Sequence, residues 1–305
     1  MSSLLVTGSI GIDNVVTPHG AVHDVLGGSA VYFSWAAAAF CRVRLVAVVG
    51  EDFPSRFARA LAHPNIDTRG LERRRGSKTF RWSGRYDATL NEATTTAVDL
   101  NVLAEAAPQI PPAFADSDIV FLAATHPRLQ LQLLSQLTRP KLVLADTRDL
   151  WIRNYPQPVR AGLKQVDGLM LNDLEARLLT GQVNLVAALQ RIRGMLKPSG
   201  PRLVVLKKGE HGCLATFGND FFPMPAFPTA KVMDPTGAGD SFAGGLLGYL
   251  AAQGHWDAAT FKKAVAVGTI MASFTIQAFS LAGLRHANRP AINARLKTFQ
   301  KMLAL

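Results

Sequence analysis

Short apolar runs alternate along this chain with segments whose apolar residues recur at helical spacing. The runs span residues 4–8, 44–49, 119–123, 141–146, 168–171 and 202–207, and helical patterns fill most of the intervals between them. Such alternation is typical of parallel strands joined by crossover helices. The sequence therefore predicts an α/β fold with a mostly parallel central sheet, in which ligands bind beyond the carboxyl ends of the strands.

The chain has the size and composition of a large α/β enzyme. It has 305 residues, of which 48% are hydrophobic, so a sizeable core can form. No apolar run reaches the roughly 18 residues that suggest a membrane span, and residues 1–4 do not resemble a signal peptide. We therefore expect no membrane partner and a cytoplasmic location. The two cysteines, Cys41 and Cys213, lie in apolar contexts and are predicted to be buried and unpaired.

The formal net charge is +11. A basic protein can bind nucleic acid or smaller anions. Its basic residues are scattered apart from the run Arg73, Arg74 and Arg75, and neither zinc-finger spacing nor an RNA-binding signature accompanies them. We interpret the charge as a solvated basic surface that favours anionic nucleotides, and we expect no nucleic-acid partner.

Two segments interrupt the strand–helix alternation. Residues 13–26 and 78–102 alternate polar with apolar residues, which predicts antiparallel strands. They are expected to pair as a small sheet outside the α/β core. That sheet would act as a lid over a site, although a plain surface hairpin is the alternative.

The stretch from Asp234 to Gly245 carries the strongest chemical signal. A Pro-Thr-Gly-Ala-Gly turn leads directly into an apolar helix. Glycines permit unusual backbone dihedrals and close approach of a ligand. The N–H groups of Gly237, Ala238 and Gly239 are expected to point outward at the helix N-terminus, where anions are stabilised.

Asp240 stands in the first turn of that predicted helix. Its carboxylate could take a proton from an attacking hydroxyl held beside the same turn. Acidic residues are common in first turns, so complementing the helix dipole is the alternative role.

The same stretch resembles the C-terminal signature of the PfkB (ribokinase-like) carbohydrate kinases, which has the form Asp-Thr-Thr-Gly-Ala-Gly-Asp. This chain reads Asp-Pro-Thr-Gly-Ala-Gly-Asp. Further segments resemble other motifs of that family. Residues 8–13 resemble its strand ending in a substrate-binding aspartate, and residues 27–28 resemble its Gly-Gly pair. Residues 48–52 resemble its Val-Gly-Xaa-Asp segment, residues 172–175 its Asn-Xaa-Xaa-Glu motif, and residues 208–212 its nucleotide-side glycine segment.

The resemblance implies a ribokinase-like three-layer sandwich with a small β-sheet lid, using ATP and Mg²⁺. Residues 1–305 would form one kinase domain, with lid segments at about 13–26 and 78–102. Asp240 would be the catalytic base beside an anion hole formed by residues 237–239. A homodimer through the lid is a further expectation.

By the same resemblance, three groups of residues have ligand-binding roles. The predicted substrate residues are Asp13, Gly27 and Gly28; the predicted nucleotide residues are Asn172, Lys208, Gly209 and Gly212; and the predicted Mg²⁺ residue is Glu175. The chain departs from the family pattern at Pro235, Tyr32, Lys207 and Ser280, where threonine, asparagine, threonine and glycine respectively are usual.

The predicted activity is ATP-dependent phosphorylation of a hydroxyl of a sugar or sugar-like molecule. A nucleoside kinase of the same family is the first alternative. A non-catalytic ligand or nucleic-acid binder is a more remote one, because a pure binder does not need Gly237, Gly239 and Asp240 together.

Overall fold

A computed structural model describes residues 2–91 and 93–304. The described residues form thirteen strands in two sheets. In chain order these are β1 (Leu4–Thr7), β2 (Gly11–Thr17), β3 (Gly20–Gly27), β4 (Val43–Gly50), β5 (Ile66–Arg74), β6 (Phe80–Tyr86), β7 (Ala93–Asp99), β8 (Ile119–Leu122), β9 (Leu142–Asp146), β10 (Gly168–Asn172), β11 (Leu203–Lys207), β12 (Cys213–Phe217) and β13 (Asp220–Met224).

The main sheet has nine strands in the order β13-β12-β11-β10-β9-β8-β1-β4-β5. All neighbours from β11 to β5 pair in parallel, whereas β12 and β13 add an antiparallel hairpin at one edge. Strands β1, β4 and β5 follow one another in one direction across the sheet. Strands β8 to β11 then follow in the opposite direction, on the other side of β1. The reversal between β1 and β8 opens a crevice at the carboxyl ends of the strands.

In the described part of the chain, ten α-helices cover the main sheet. They are α1 (Ser29–Ala38), α2 (Ser55–Leu61), α3 (Pro127–Leu134), α4 (Asp149–Asn154), α5 (Pro156–Leu163), α6 (Asp173–Thr180), α7 (Leu185–Met195), α8 (Ala238–Gln253), α9 (Ala258–Thr275) and α10 (Arg289–Leu303).

The helices form a layer on each face of the sheet because side chains of a strand point alternately to its two faces. In β1, Leu4 and Val6 join the core cluster under α1, α2, α8, α9 and α10, whereas Leu5 joins the cluster under α3 to α7. Both clusters are buried. The predicted α/β class and mostly parallel sheet are thus confirmed.

Helix α8 lies deep in its layer because its glycines allow close packing. A Cβ atom at Gly244 would lie 2.3 Å from the carbonyl oxygen of Phe33 in α1, and one at Gly245 would lie 2.5 Å from Cγ of Met271 in α9. The helix is therefore held on both sides, and its N-terminus is fixed at the carboxyl edge of the sheet.

The second sheet, called the small sheet below, has the order β3-β2-β6-β7. Within the hairpins β2–β3 and β6–β7 the strands are antiparallel, as expected. Its central pair β2–β6 is parallel, so the prediction of antiparallel strands is wrong for this pair. Nearly every residue of β7 is exposed, which leaves one edge of the small sheet in solvent.

Cys41 and Cys213 are buried and free, as predicted. Among the described residues, we find no helix that is both long enough and apolar enough to cross a bilayer.

Candidate active site

The candidate site lies where strands β1, β9, β10 and β11 end and α8 begins. Asp13 follows β1 within the start of β2, and Asp146, Asn172 and Lys207 are the last residues of β9, β10 and β11. Asp240 lies in the first turn of α8. The parallel topology thus brings residues that are far apart in sequence to one edge of the sheet.

The turn before α8 has the conformation that its glycine allows. Gly237 is the N-cap residue with φ 78°, in the left-handed region that favours glycine. A Cβ atom there would lie 2.3 Å from Cγ of Tyr32, so the Tyr32 ring packs directly on the turn. The Ala238 N–H donates to the carbonyl of Pro235 at 3.1 Å. It is therefore engaged within the turn, contrary to the prediction that it points outward.

Asp240 is a carboxylate with an unusual proton affinity. Burial and the nearby Asp146 raise the pKa of Asp240 to about 7, although Lys207 and Arg148 oppose the rise. A general base is most effective when its pKa is near the working pH. The side chain is only partly buried, so a ligand in the cleft can reach it.

Asp13 is packed against the glycine pair that the sequence analysis singled out. A Cβ atom at Gly27 would lie 1.8 Å from Asp13 Oδ2, so only glycine leaves room for this carboxylate. Gly28 has φ 103° and is the N-cap residue of α1. Asp13 is 4% exposed and its Oδ1 has no hydrogen-bond partner among the described residues. Burial, with Asp234 and Asp240 nearby, raises the pKa of Asp13 to about 7.

Asn172 and Glu175 form a reciprocal capping box at the start of α6. The Glu175 N–H donates to Asn172 Oδ1 at 2.7 Å, and the Asn172 N–H donates to Glu175 Oε2 at 2.8 Å. Glu175 is 5% exposed, so it is not the surface acid that a helix start often carries. Burial and Asp146 raise the pKa of Glu175 to about 7.

An ion pair that was not predicted from the sequence lies between the carboxylates of the site. Lys207 Nζ is 3.2 Å from Asp146 Oδ2. Arg148, just after β9, is close enough to oppose the rise in the pKa of Asp240. Asp146 ends a predicted strand, as Asp13 follows one, so the rule that ligands collect at strand ends could have identified it.

The predicted nucleotide-side residues Lys208, Gly209 and Gly212 form the turn between β11 and β12. Gly209 and Gly212 have φ 54° and 76°, which favour glycine. The small sheet extends across the cleft towards this turn. Asn91 Oδ1 lies 3.4 Å from where a Cβ of Gly209 would be, and the Tyr86 hydroxyl lies 3.2 Å from Thr236 Oγ1.

Comparison with known families matches residues 5–285 to the model of the pfkB family carbohydrate kinases. The chain belongs to this family. The resemblance inferred from the motifs is thereby confirmed, and the chain is a kinase.

Individual relatives agree with this assignment. A cytidine kinase of Thermococcus kodakarensis is 31% identical over 254 residues, covering 81% of this chain and 88% of the relative. A fructokinase of Klebsiella pneumoniae is 33% identical over 110 residues, 35% of this chain and 34% of its own length. A Burkholderia thailandensis nucleoside kinase solved with inosine has a TM-score of 0.77 at 19% identity, covering 97% of this chain and 98% of that structure. The ribokinase-like fold prediction is confirmed.

Proposed function

We propose that this pfkB-family kinase transfers the γ-phosphoryl group of ATP to a hydroxyl of a sugar-containing small molecule, with Asp240 as the general base. The observation that carries the proposal is the partly buried Asp240 carboxylate, with its raised pKa, at the N-terminus of α8 beside the left-handed Gly237. The acceptor oxygen bonds to the γ-phosphorus, the bond from that phosphorus to the bridging oxygen breaks, and the bond electrons leave with ADP. Asp240 takes the hydroxyl proton.

Backbone N–H groups at this turn would bind the oxygens of the transferring phosphoryl group. With Ala238 engaged by Pro235, the N–H groups of Gly237 and Gly239 are the ones we assign to this role. A helix N-terminus stabilises negative charge there. A fixed donor that needs no reorganisation is the most effective kind for charge that develops in the transition state.

The substrate would bind between the small sheet and the ends of β1 and β8, gripped by Asp13. Oδ1 of Asp13, which has no hydrogen-bond partner within the described part of the chain, is a buried acceptor, and vicinal sugar hydroxyls donate two hydrogen bonds to one carboxylate. The backbone of Gly27 and Gly28 borders the same pocket. The small sheet would act as the lid that excludes water, which competes with the acceptor.

Magnesium fits the residues present. Mg²⁺ in phosphoryl-transfer sites is held by one or two carboxylates together with waters and phosphate oxygens. No cluster of three or more ligating side chains is present among the described residues, so an all-protein metal cage is not what this site offers. Glu175 and Asp146 are the carboxylates that would hold Mg²⁺, directly or through water. When bound, the ion supplies charge neutralisation of the phosphates.

For the acceptor we favour a nucleoside, because the cytidine kinase relative covers 81% of this chain. A free sugar is the second candidate, supported by the fructokinase match over 35% of the chain. Tyr32, where the ribokinase branch has asparagine, argues against free ribose.

The test is ADP release from ATP and Mg²⁺ with a panel of nucleosides and sugars, for wild type and Asp240→Asn. We expect turnover with at least one acceptor, its abolition by EDTA, and a fall in kcat of about 10²- to 10⁴-fold in Asp240→Asn. Asp257→Asn is the matched control, since Asp257 is an aspartate at the start of another helix, α9, and follows the C-terminal end of α8, whereas Asp240 lies in the first turn of α8. A folded Asp240→Asn variant that keeps half of the wild-type kcat would refute the base assignment.

A further inference from the structure

Lys207 stands where the family usually has threonine, and that difference alone does not explain the position of its side chain. A Cβ atom at Gly239 would lie 2.8 Å from Lys207 Nζ. The ammonium group therefore lies directly over the backbone of the first turn of α8, next to Asp240. The backbone pairing of β11 with β10 places Lys207 opposite Asn172, so it emerges at the centre of the site.

Asp146 pairs with this ammonium group but engages only part of its hydrogen-bonding capacity. An ammonium has three N–H donors, and the hydrogen bond to Asp146 Oδ2 at 3.2 Å accounts for one. The Lys207 side chain keeps 20% of its surface exposed, so it is not sealed off from solvent.

A purely stabilising role is a weak explanation for this pair. Removing two charges from water costs free energy that their attraction barely offsets. Asp146 pairs with the ammonium group, and the carboxylates of Glu175, in the first turn of α6, and Asp240, in the first turn of α8, belong to the same site. A site with such an excess of negative charge needs a cation where a phosphate must enter.

We infer that Lys207 is a further catalytic residue, whose ammonium binds the oxygens of the phosphoryl group in transfer while Asp146 holds it over Gly239. This inference rests on the proposed function. It adds a full positive charge to the partial charges of the backbone N–H groups, at the point where the bridging bond of ATP breaks.

The position over Gly239 determines which phosphate is bound. The turn and Asp240 meet at the transferring group, so Lys207 contacts the γ-phosphate rather than the phosphates that remain in ADP. Loss of the ammonium should therefore weaken binding of a non-hydrolysable ATP analogue and leave binding of ADP nearly unchanged. A merely structural lysine would affect the two nucleotides alike.

The experiment measures the affinities of ADP and of the β,γ-imido analogue of ATP by calorimetry with Mg²⁺, for wild type, Lys207→Met, Lys207→Thr and Lys207→Arg. In the Met and Thr variants we expect analogue affinity to fall about 10- to 100-fold, and ADP affinity to change less than about 3-fold. Lys207→Arg keeps the charge and should retain most of the analogue affinity. Threonine is usual at this position in the family, so Lys207→Thr remains informative should the Met variant fail to fold.

Lys197→Met is the matched control. It removes another lysine paired with a buried aspartate, because Lys197 Nζ lies 3.5 Å from Asp167 Oδ1 at the amino-terminal end of β10. It should bind both nucleotides like wild type. An unchanged ratio of analogue to ADP affinity in the folded Lys207 variants would overturn the inference about Lys207. A wild-type protein that binds neither nucleotide would overturn the proposed function itself.

Discussion

At the scale of single residues, Asp13 shows how a buried carboxylate can be kept at a cost in stability. Its carboxylate is buried against Gly27, and Oδ1 lacks a partner among the described residues. A buried carboxylate without donors disfavours its ionised form. The unliganded protein therefore holds a group that sugar hydroxyls would satisfy.

This leads to a prediction about stability and pH. The pKa of Asp13 rises from 3.8 to about 7 on folding, so between these pH values the native state keeps a proton that the unfolded chain has lost. Unfolding free energy then falls as pH rises, by about 1.4 kcal/mol per pH unit for one group. Asp13→Asn cannot ionise, so it should gain stability relative to wild type between pH 4 and pH 7, approximately the window of this shift.

Urea unfolding at pH 4.5 and pH 8 tests this prediction. Asp257→Asn serves as the control, because the pKa of Asp257 is lowered by its hydrogen bonds to the Thr260 N–H and side chain. Its removal should instead cost more stability at high pH. Parallel stability–pH curves for wild type and Asp13→Asn would show that Asp13 is ionised in the folded protein.

The residues of the site differ in how far the sequence revealed them. Asp13 and Asp240 could be predicted because each is adjacent to a strong local signal, an apolar strand or a glycine turn. The Lys207–Asp146 pair could not, because the two residues are 61 positions apart and meet only through the order of β9, β10 and β11. Asn172 and Glu175 were placed correctly at a strand–helix junction, but their mutual capping is visible only in the structure.

At the scale of elements, the turn into α8 combines backbone conformation with tertiary contact. Gly237→Ala should be destabilising for two reasons, since φ is 78° and the new Cβ would meet the Tyr32 ring at 2.3 Å. Left-handed strain costs about 1–3 kcal/mol. Movement of the turn should also reduce kcat, because the N–H groups would no longer face the phosphoryl group.

Gly181→Ala is the control for Gly237→Ala, because it introduces backbone strain without a steric contact of the new Cβ. Gly181 is the C-cap residue of α6 with φ 71°, but no neighbouring atom of the described residues lies within 4 Å of the Cβ position. We expect Gly181→Ala to lose stability through strain alone and to keep its kcat. Thermal unfolding and steady-state kinetics of the two variants measure the difference. Equal kcat values in the two variants would contradict a role for the turn in binding the phosphoryl group.

The elements missed from sequence share weak local signals. Strand β5 was not predicted because its sequence, Ile-Asp-Thr-Arg-Gly-Leu-Glu-Arg-Arg, is highly charged, as suits a sheet edge. Helix α5 begins Pro-Gln-Pro, which indicates a loop unless the prolines occupy the first turn. The parallel pairing of β2 with β6 joins two hairpins distant in sequence, so local alternation carries no information about it.

At the scale of the whole molecule, the small sheet connects the two halves of the cleft. Its strands follow β1 and β5 in the sequence, and they lie on the Asp13 side of the site. Its far end contacts the other side, through Tyr86 and Thr236 and through the approach of Asn91 to Gly209. Under the proposed role as a lid, the small sheet would be held more firmly over a cleft that contains both acceptor and nucleotide.

Hydrogen exchange tests this arrangement. With an acceptor and the β,γ-imido analogue both saturating, amides of β6 and β7 should exchange about 10- to 100-fold more slowly than in the unliganded protein. Strands β1, β8 and β9 are buried already, so their exchange rates should change little.

The variant Tyr86→Phe removes the hydroxyl that contacts Thr236 Oγ1. It should lose about 5-fold of this protection, which corresponds to about 1 kcal/mol. Tyr249→Phe, in α8 away from the small sheet, should match wild type. Unchanged exchange in β6 and β7 on adding both ligands would mean that the small sheet is not a lid.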